Sequence, residues 1–542
     1  MKASILQLRQ HEVLDFACEE LYETAASRGV QLAAIPNSAD ERWFVGTWQD
    51  CMNATALREI EAWPWQNEDR VYGDDAFTIV LTSRGTIVTG KSERATLYAV
   101  YHFCKSRWNL EWIYPGQPPV EVMKRSDLLK PGYIHEPMMN RRGFVFENIY
   151  DEDYMRAMVD WLAKNRVNEL FLTFMLYDAL KEMFQSELSK RGLDLTLGGH
   201  SMKFFLNPSE SSSQPSKQLD YEDESWQIQV TSDIVRYCQA VPGLKRVSLW
   251  PEDTAVSEEG SASSEPFLNL YIRFTENLQK KLHEAKLHVD AEHIAYNAGL
   301  SWDMLERTER ISGSSLIHTL YAYWGRDYSQ GWDGYERIEE QRAKQALEGW
   351  GEITQAHYKK LTVFEYYSDH FMLSCLFPSM PERICEDMKY YRSLGIESIT
   401  NLVVPYPQAG AHYSWKWAHG YNSYVFARSA WGDELDVIRG DYAHNADASN
   451  REETIKRLEQ VGSKLARLSY YNVPLFPARV IDVPKGETAH KESILQLLGE
   501  LEKELGAYED SFIDAVHRSP YDLYFCHLQK TLNEIRSQWE AV

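Results

Sequence analysis

Cysteine is scarce in this 542-residue chain and shows no organisation. The seven, Cys18, Cys51, Cys104, Cys238, Cys375, Cys385 and Cys526, are odd in number and include no CxxC pair. That usage excludes a disulfide framework and a cysteine zinc motif, and it fits a reducing compartment. Long hydrophobic runs are missing too: no segment approaches about 18 apolar residues without charge, so no transmembrane helix is expected. The opening stretch MKASILQLRQHEVLDFACEELYETAA lacks the continuous apolar core and small-residue cleavage site of a secretory signal. These absences predict a cytoplasmic protein with no membrane partner. Positive charge is in deficit, 57 Lys and Arg against 80 Asp and Glu for a net charge of -23. Such a surface opposes nucleic acid and anionic lipid by simple electrostatics, which leaves small molecules as the expected partners.

Aromatic residues are plentiful instead, with 17 Trp and 32 Tyr. Flat apolar faces carrying one polar atom suit stacking on sugar rings as well as core packing. The length predicts more than one domain, and the pattern changes character twice. Residues 1–135 read as a small α/β domain: a helical period from His11 to Arg28, a strand at Trp43 to Trp48, and a hairpin in AFTIVLTSRGTIVTG turning at Arg84-Gly85. A helix from Glu93 to Trp108 follows, with Leu97, Val100, Tyr101 and Cys104 at the i, i+3, i+4, i+7 spacing of a packed face. Residues 433–542 read as a helical region, whose exposed aromatics would support a homodimer.

Between them, residues 136–432 repeat strand, loop and helix. Eight strands are expected, at Gly143 to Asn148, Glu169 to Thr173, Leu193 to Leu197, Arg246 to Trp250, Leu287 to Tyr296, Leu316 to Tyr323, Leu361 to Tyr367 and Ser398 to Val403. Alternation with helices argues for parallel strands and right-handed crossovers, and eight units favour a closed (β/α)8 TIM barrel. The serine-, proline- and acid-rich run from Asn207 to Glu224 follows the third strand as a surface loop or lid.

Chemistry in such a barrel belongs at the C-terminal strand ends. The fourth strand, RVSLWPED, stops abruptly in Glu252 and Asp253. Neighbouring strand residues point to opposite sides, so one of the two is expected in the pocket, Asp253 ahead of Glu252. Glu365, three strands round, is the expected opposite carboxylate, since glycoside hydrolysis uses two carboxyl groups flanking the scissile bond. Further strand ends supply Glu147, Asn148, His200, Tyr296, Asn297, Trp324, Arg326, Tyr366, Tyr367 and Asn401 as substrate-binding candidates. Two glycines before His200 would let the backbone approach a ligand, and Arg326 would favour a carboxylate-bearing sugar. His288, Asp290, Glu292 and His293 alternate without HExxH spacing, so neither a metal site nor a cofactor is expected.

Several segments resemble a known group of enzymes. TLYAVYHFCKSRWNLEWIYPG is similar to the end of the small domain that precedes the barrel in α-glucuronidases and β-N-acetylhexosaminidases, and RRGFVFEN resembles their first barrel strand. KRVSLWPED is similar to the fourth strand, where hexosaminidases carry an Asp-Glu pair and uncharacterised bacterial relatives a Pro-x-Asp. ICEDMKYYRSLGIESI and GYNSYVFARSAWGDELDVIRGDY resemble the last barrel segment of those relatives. The resemblance covers most of residues 75–440 and implies a family-20-like glycoside hydrolase barrel. Here the acid pair is reversed and Trp250-Pro251 replaces the usual Gly-Gly. By that resemblance Asp253 matches the single acid of the relatives. The expectation is an exo-acting glycoside hydrolase that removes a terminal sugar, of N-acetylhexosamine or uronic acid type, from an oligosaccharide or glycoside. The alternative is a non-catalytic carbohydrate-binding barrel.

Overall fold

The computed structural model describes residues 2–33, 39–60, 62–66, 70–123, 131–206, 221–251, 266–297, 302, 304–306, 313–404, 419–444, 451–470, 490–505 and 520–541. Glu252, Asp253, nearly all of the low-complexity run and the bridge between the C-terminal helical groups lie outside these residues.

The N-terminal part is a five-stranded sheet of β1 (Lys2–Gln7), β2 (Gln31–Leu32), β3 (Glu41–Thr47), β4 (Phe77–Thr82) and β5 (Gly85–Gly90), in the order β2-β1-β3-β5-β4. Strand β1 lies where the sequence reading placed no element, and the β4–β5 hairpin turns at Ser83-Arg84, one residue earlier than expected. Helices Glu12–Ser27 and Glu93–Trp108 pack against each other. A two-stranded ribbon, β6 (Leu110–Glu111) and β7 (Val120–Glu121), leads towards the barrel.

The barrel closes through eight parallel strands: β8 (Arg141–Phe146), β9 (Glu169–Thr173), β10 (Asp194–Gly199), β11 (Leu244–Leu249), β12 (Asp290–Tyr296), β13 (His318–Ala322), β14 (Leu361–Asp369) and β15 (Ser398–Val404), with β15 pairing back onto β8. Most are buried along nearly their whole length, as parallel strands covered on both faces must be. Cross-barrel contacts fix which residues face the interior. Arg141 on β8 reaches Glu292 on β12 and Thr362 on β14, while Trp250, just past β11, meets Phe171 and Phe364 with ring centroids 5.5 and 5.3 Å apart. Phe171, Trp250 and Phe364 therefore plug the middle of the barrel, and the space above them is its C-terminal mouth.

A buried ion cluster joins the sheet to the barrel. Asp75 accepts from Arg94 at 2.8 Å, Arg142 at 2.6 Å and Asn168 at 2.8 Å. The two guanidiniums outweigh the burial penalty and hold its carboxyl down at about 2. The C-terminal helices Gly420–Trp431, Leu435–Ala443, Arg451–Tyr470, Lys491–Leu505 and Pro520–Ala541 follow the last strand. The first of them is buried along its entire length. Among the described residues no helix is long and apolar enough to cross a membrane.

Candidate active site at the mouth of the barrel

Strand β14 decides which side chains reach the mouth. Phe364 faces the interior, so by alternation Glu365 faces outward. Between Glu365 and Ser368 the register with β15 shifts, because Glu365 pairs with Asn401 whereas Ser368 pairs with Val403. This bulge inserts one residue and reverses the alternation beyond it. Ser368 consequently lies near Asn401 and Ser423, and Asp369, the last residue of the strand, turns inward.

Asp369 is 1 % exposed. One carboxylate oxygen accepts from the Phe371 backbone N–H at 2.9 Å; the other accepts from the Met372 N–H and the Trp324 Nε1–H, both at 3.3 Å. Burial is the largest influence and pushes the carboxyl up to about 6 against those three donors, and the charge of Glu147 adds to the push. Glu147 follows β8, half-buried, and its Oε1 lies 3.5 Å from where a Cβ on Gly199 would sit.

Trp324 is set by two hydrogen bonds with Asn297. The Asn297 amide donates to the Trp324 carbonyl at 2.6 Å, and the Trp324 N–H donates to Asn297 Oδ1 at 2.9 Å. Its ring stays half-exposed, as a stacking surface requires. On the other side of the mouth the Pro251 carbonyl lies 2.6 Å from His200 Nδ1 and accepts from the Tyr296 hydroxyl at 3.3 Å. The imidazole packs on Trp250 and Tyr296. The chain thus leaves a fixed anchor at Pro251 one residue before Glu252. The two glycines ahead of His200 serve the fold: a Cβ on Gly198 would stand 1.7 Å from the Ser248 carbonyl oxygen, and Gly199 has φ +80°.

The turn after Asp369 is strained and heavily braced. Ser374, Cys375 and Phe377 have φ of 49°, 61° and 44°, a conformation that costs on the order of 1–3 kcal/mol per residue unless the surroundings enforce it. Helix Pro520–Ala541 supplies part of that enforcement. Tyr524 donates to the Phe377 carbonyl at 2.8 Å, and His527 Nε2 lies 2.6 Å from the Cys375 carbonyl. Asn422 adds bonds to the carbonyls of Tyr367 and Pro378.

The structure gathers Glu147, His200, Tyr296, Asn297 and Trp324 at the mouth and leaves Asn148 exposed beside them with φ 56°. Tyr366 is buried against Phe364. Four expected site residues lie elsewhere. Glu365 is held outside the barrel, away from the mouth where the sequence reading placed it, by Arg326 at 2.7 Å, by the Tyr328 hydroxyl at 2.5 Å and by Tyr391. Burial pushes its carboxyl up while the guanidinium pulls it back. Arg326 also donates to Asp387 at 2.6 Å and to the Tyr335 hydroxyl at 2.7 Å, so its guanidinium is taken up within the protein. Tyr367 donates to Asp387 at 2.7 Å, and Asn401 to Ser368 at 3.0 Å. Asp369 was missed because the expected strand stopped two residues short, and nothing in the alternation of the sequence marks the bulge.

No protein-family model and no curated protein sequence matches the chain. Solved structures do. A GH138 enzyme targeting pectin rhamnogalacturonan II superposes with a TM-score of 0.56 at 11% identity, covering 100% of this chain and 89% of that one. CpGH84D superposes with a TM-score of 0.51 at 11% identity, covering 100% and 90%. The likeness shows a shared fold.

Proposed function

We propose that the chain is a glycoside hydrolase that removes a terminal sugar from an oligosaccharide or glycoside at the barrel mouth, with Asp369 as proton donor. The observation that carries this reading is a strand-end carboxyl raised to about 6, next to a second carboxylate and a half-exposed tryptophan. An acid of that strength keeps its proton into the weakly acidic range and can pass it to a departing glycosidic oxygen. As the bond from the anomeric carbon to that oxygen breaks, its electron pair goes to the oxygen, which takes the Asp369 proton. The positive charge left on the sugar is met by a carboxylate from the other face. Glu147 is one candidate for that part. The others are Asp253 and Glu252, which follow Pro251 in the sequence and lie outside the described residues. Water then supplies its oxygen to the anomeric carbon and its proton to the carboxylate of Asp369. Trp324 offers a ring face, and Asn297 and Tyr296 hold the walls.

The similar structures, a GH138 enzyme targeting pectin rhamnogalacturonan II and CpGH84D, support the reading at the level of a shared barrel. Of the two sugar types expected, the uronic acid reading has lost its guanidinium, whereas an N-acetylhexosamine makes no demand on Arg326. The test is a screen of purified protein against chromogenic glycosides that includes N-acetylhexosaminides and glucuronides, repeated with Asp369→Asn, Glu147→Gln and Asp253→Asn. Turnover abolished by Asp369→Asn supports the assignment. No turnover on any glycoside, with sugars still raising Tm, would leave the non-catalytic binding barrel in its place.

A further inference from the structure

The opposite, N-terminal end of the barrel holds a cavity of about 340 Å³ between the strand starts and the N-terminal sheet domain, walled by Arg141, Glu169, Arg246 and Glu292 with Asp75 and Arg94 across from them. A neighbouring groove of about 1010 Å³ shares Arg94, Asp194 and Arg246 with it. In barrels this end is the stability face, and a purely structural ion cluster there would satisfy its own hydrogen bonds. This one does so only in part. Arg141 donates through Nε to Glu169 at 2.6 Å and through Nη1 to Glu292 at 2.6 Å and Thr362 at 2.7 Å. Arg246 donates through Nη1 to Glu169 at 2.7 Å. Arg141 Nη2, Arg246 Nε and Glu292 Oε1 are buried and have no hydrogen-bond partner among the described residues. They belong to one cluster of side chains, since the Glu292 carboxylate meets Arg141 through Oε2 at 2.6 Å and has Arg246 Nε 4.0 Å from the same oxygen. Glu292 is 1 % exposed, and a buried polar group left unsatisfied is costly.

We propose that this cavity is a second binding site, for a neutral polyhydroxy molecule such as a polyol or monosaccharide. The chemistry of the three atoms selects the class. Arg141 and Arg246 stand against Glu169 and Glu292, and the remaining charged walls set Asp74, Asp75 and Asp194 against Arg94 and Lys360, so an anion meets carboxylates and a cation meets basic groups on every side. A hydroxyl does what neither ion can: its oxygen accepts from Arg141 Nη2 or Arg246 Nε while its proton goes to Glu292 Oε1. Two hydroxyls on adjacent carbons satisfy all three atoms. The volume lies at the lower end of small-molecule pockets, well above the ~30 Å³ of a single water. The proposal is independent of any catalysis at the mouth, because the two ends are separated by the Phe171, Trp250 and Phe364 plug.

Calorimetric titration of the full chain with myo-inositol and with D-glucose, with acetate as the anionic control, tests it. Arg246→Met and Trp324→Ala are run alongside, and crystals are soaked in 
the same polyol. Expected is saturable binding of a polyol but not of acetate, weakened at least ten-fold by Arg246→Met and unchanged by Trp324→Ala, with polyol density between Arg141 and Glu292. Binding that Trp324→Ala abolishes and Arg246→Met leaves intact would place the polyol at the mouth and overturn the proposal. So would acetate binding without polyol binding, or water alone in the soaked cavity. Should Arg246→Met not fold, the soak of the unaltered protein decides by itself.

Discussion

Glu365 and Asp369 lie four residues apart on one strand and have opposite fates. Glu365 faces outward into a layer where Arg326, Asp387, Tyr328 and Tyr391 take up its oxygens. Asp369, carried inward by the bulge, accepts among the described residues from two backbone N–H groups and one indole, none of them a cation, and feels the charge of a second carboxylate. Both carboxyls are almost fully buried, so burial does not distinguish them. What distinguishes them is compensation. Burial raises both carboxyls, but the oxygens of Glu365 are taken up by a guanidinium and two tyrosines outside the barrel, whereas Asp369 accepts from neutral donors alone at the mouth, where a raised carboxyl can serve chemistry. The lesson for reading such barrels is that the parity of a strand end matters as much as the presence of an acid.

The largest effect is expected where compensation is removed. Arg326→Ala leaves Glu365 and Asp387 as buried charges without their shared partner, and loss of one partner of a buried ion pair costs about 3–5 kcal/mol. Urea unfolding should show a loss of that order; a midpoint unmoved by the substitution would mean that the network is not structural. Asp369→Asn comes next. It keeps the shape and removes the proton donor, so kcat should fall about 100-fold or more, with the unfolding midpoint changed far less than in Arg326→Ala. Glu365→Gln gives the reverse pattern, lowering stability while kcat of the folded fraction persists. Were the two phenotypes exchanged, the assignment of Asp369 over Glu365 would be wrong.

The architecture was readable from the sequence because eight apolar runs alternate with helical periods, and burial on both faces makes each run long and unambiguous. The mouth was readable where a residue ends its strand or directly follows it, as with Glu147, His200, Tyr296 and Asn297. It was not readable on β14, where the bulge changes the parity of everything after Glu365 without any change in hydrophobic pattern. Arg326 misled for a related reason. A lone arginine at a strand end looks like a ligand anchor until the helix Pro381–Ser393 is seen to bring Asp387 and Tyr391 to it. Partners that come from distant segments leave no local trace. The same holds at the sheet–barrel junction, where Asp75 meets Arg94 and Arg142 only in the fold. Its carboxyl is depressed to about 2, so its contribution is complete above the unfolded value of about 4. That contribution is lost as pH falls towards 2, and Asp75→Asn should flatten the decline in stability over that window.

The smallest effect is the most specific to the comparison. Because the proton donor must be protonated, kcat/KM should fall as pH rises through about 6, the value to which burial raises Asp369. The Trp324 indole N–H favours the ionised carboxylate, so it holds that value lower than burial alone would. Trp324→Phe removes this donor and keeps an aromatic face. The basic limb of the profile should then move to higher pH, by up to about one unit for the loss of one hydrogen bond to a charged group. KM should rise only modestly, because a phenyl ring still stacks on sugar. A limb that stays in place under Trp324→Phe but moves under Glu147→Gln would show that charge, and not the indole, sets the acidity. A limb that neither substitution moves would belong to a different acid, and Asp253 would take the place of Asp369 as proton donor.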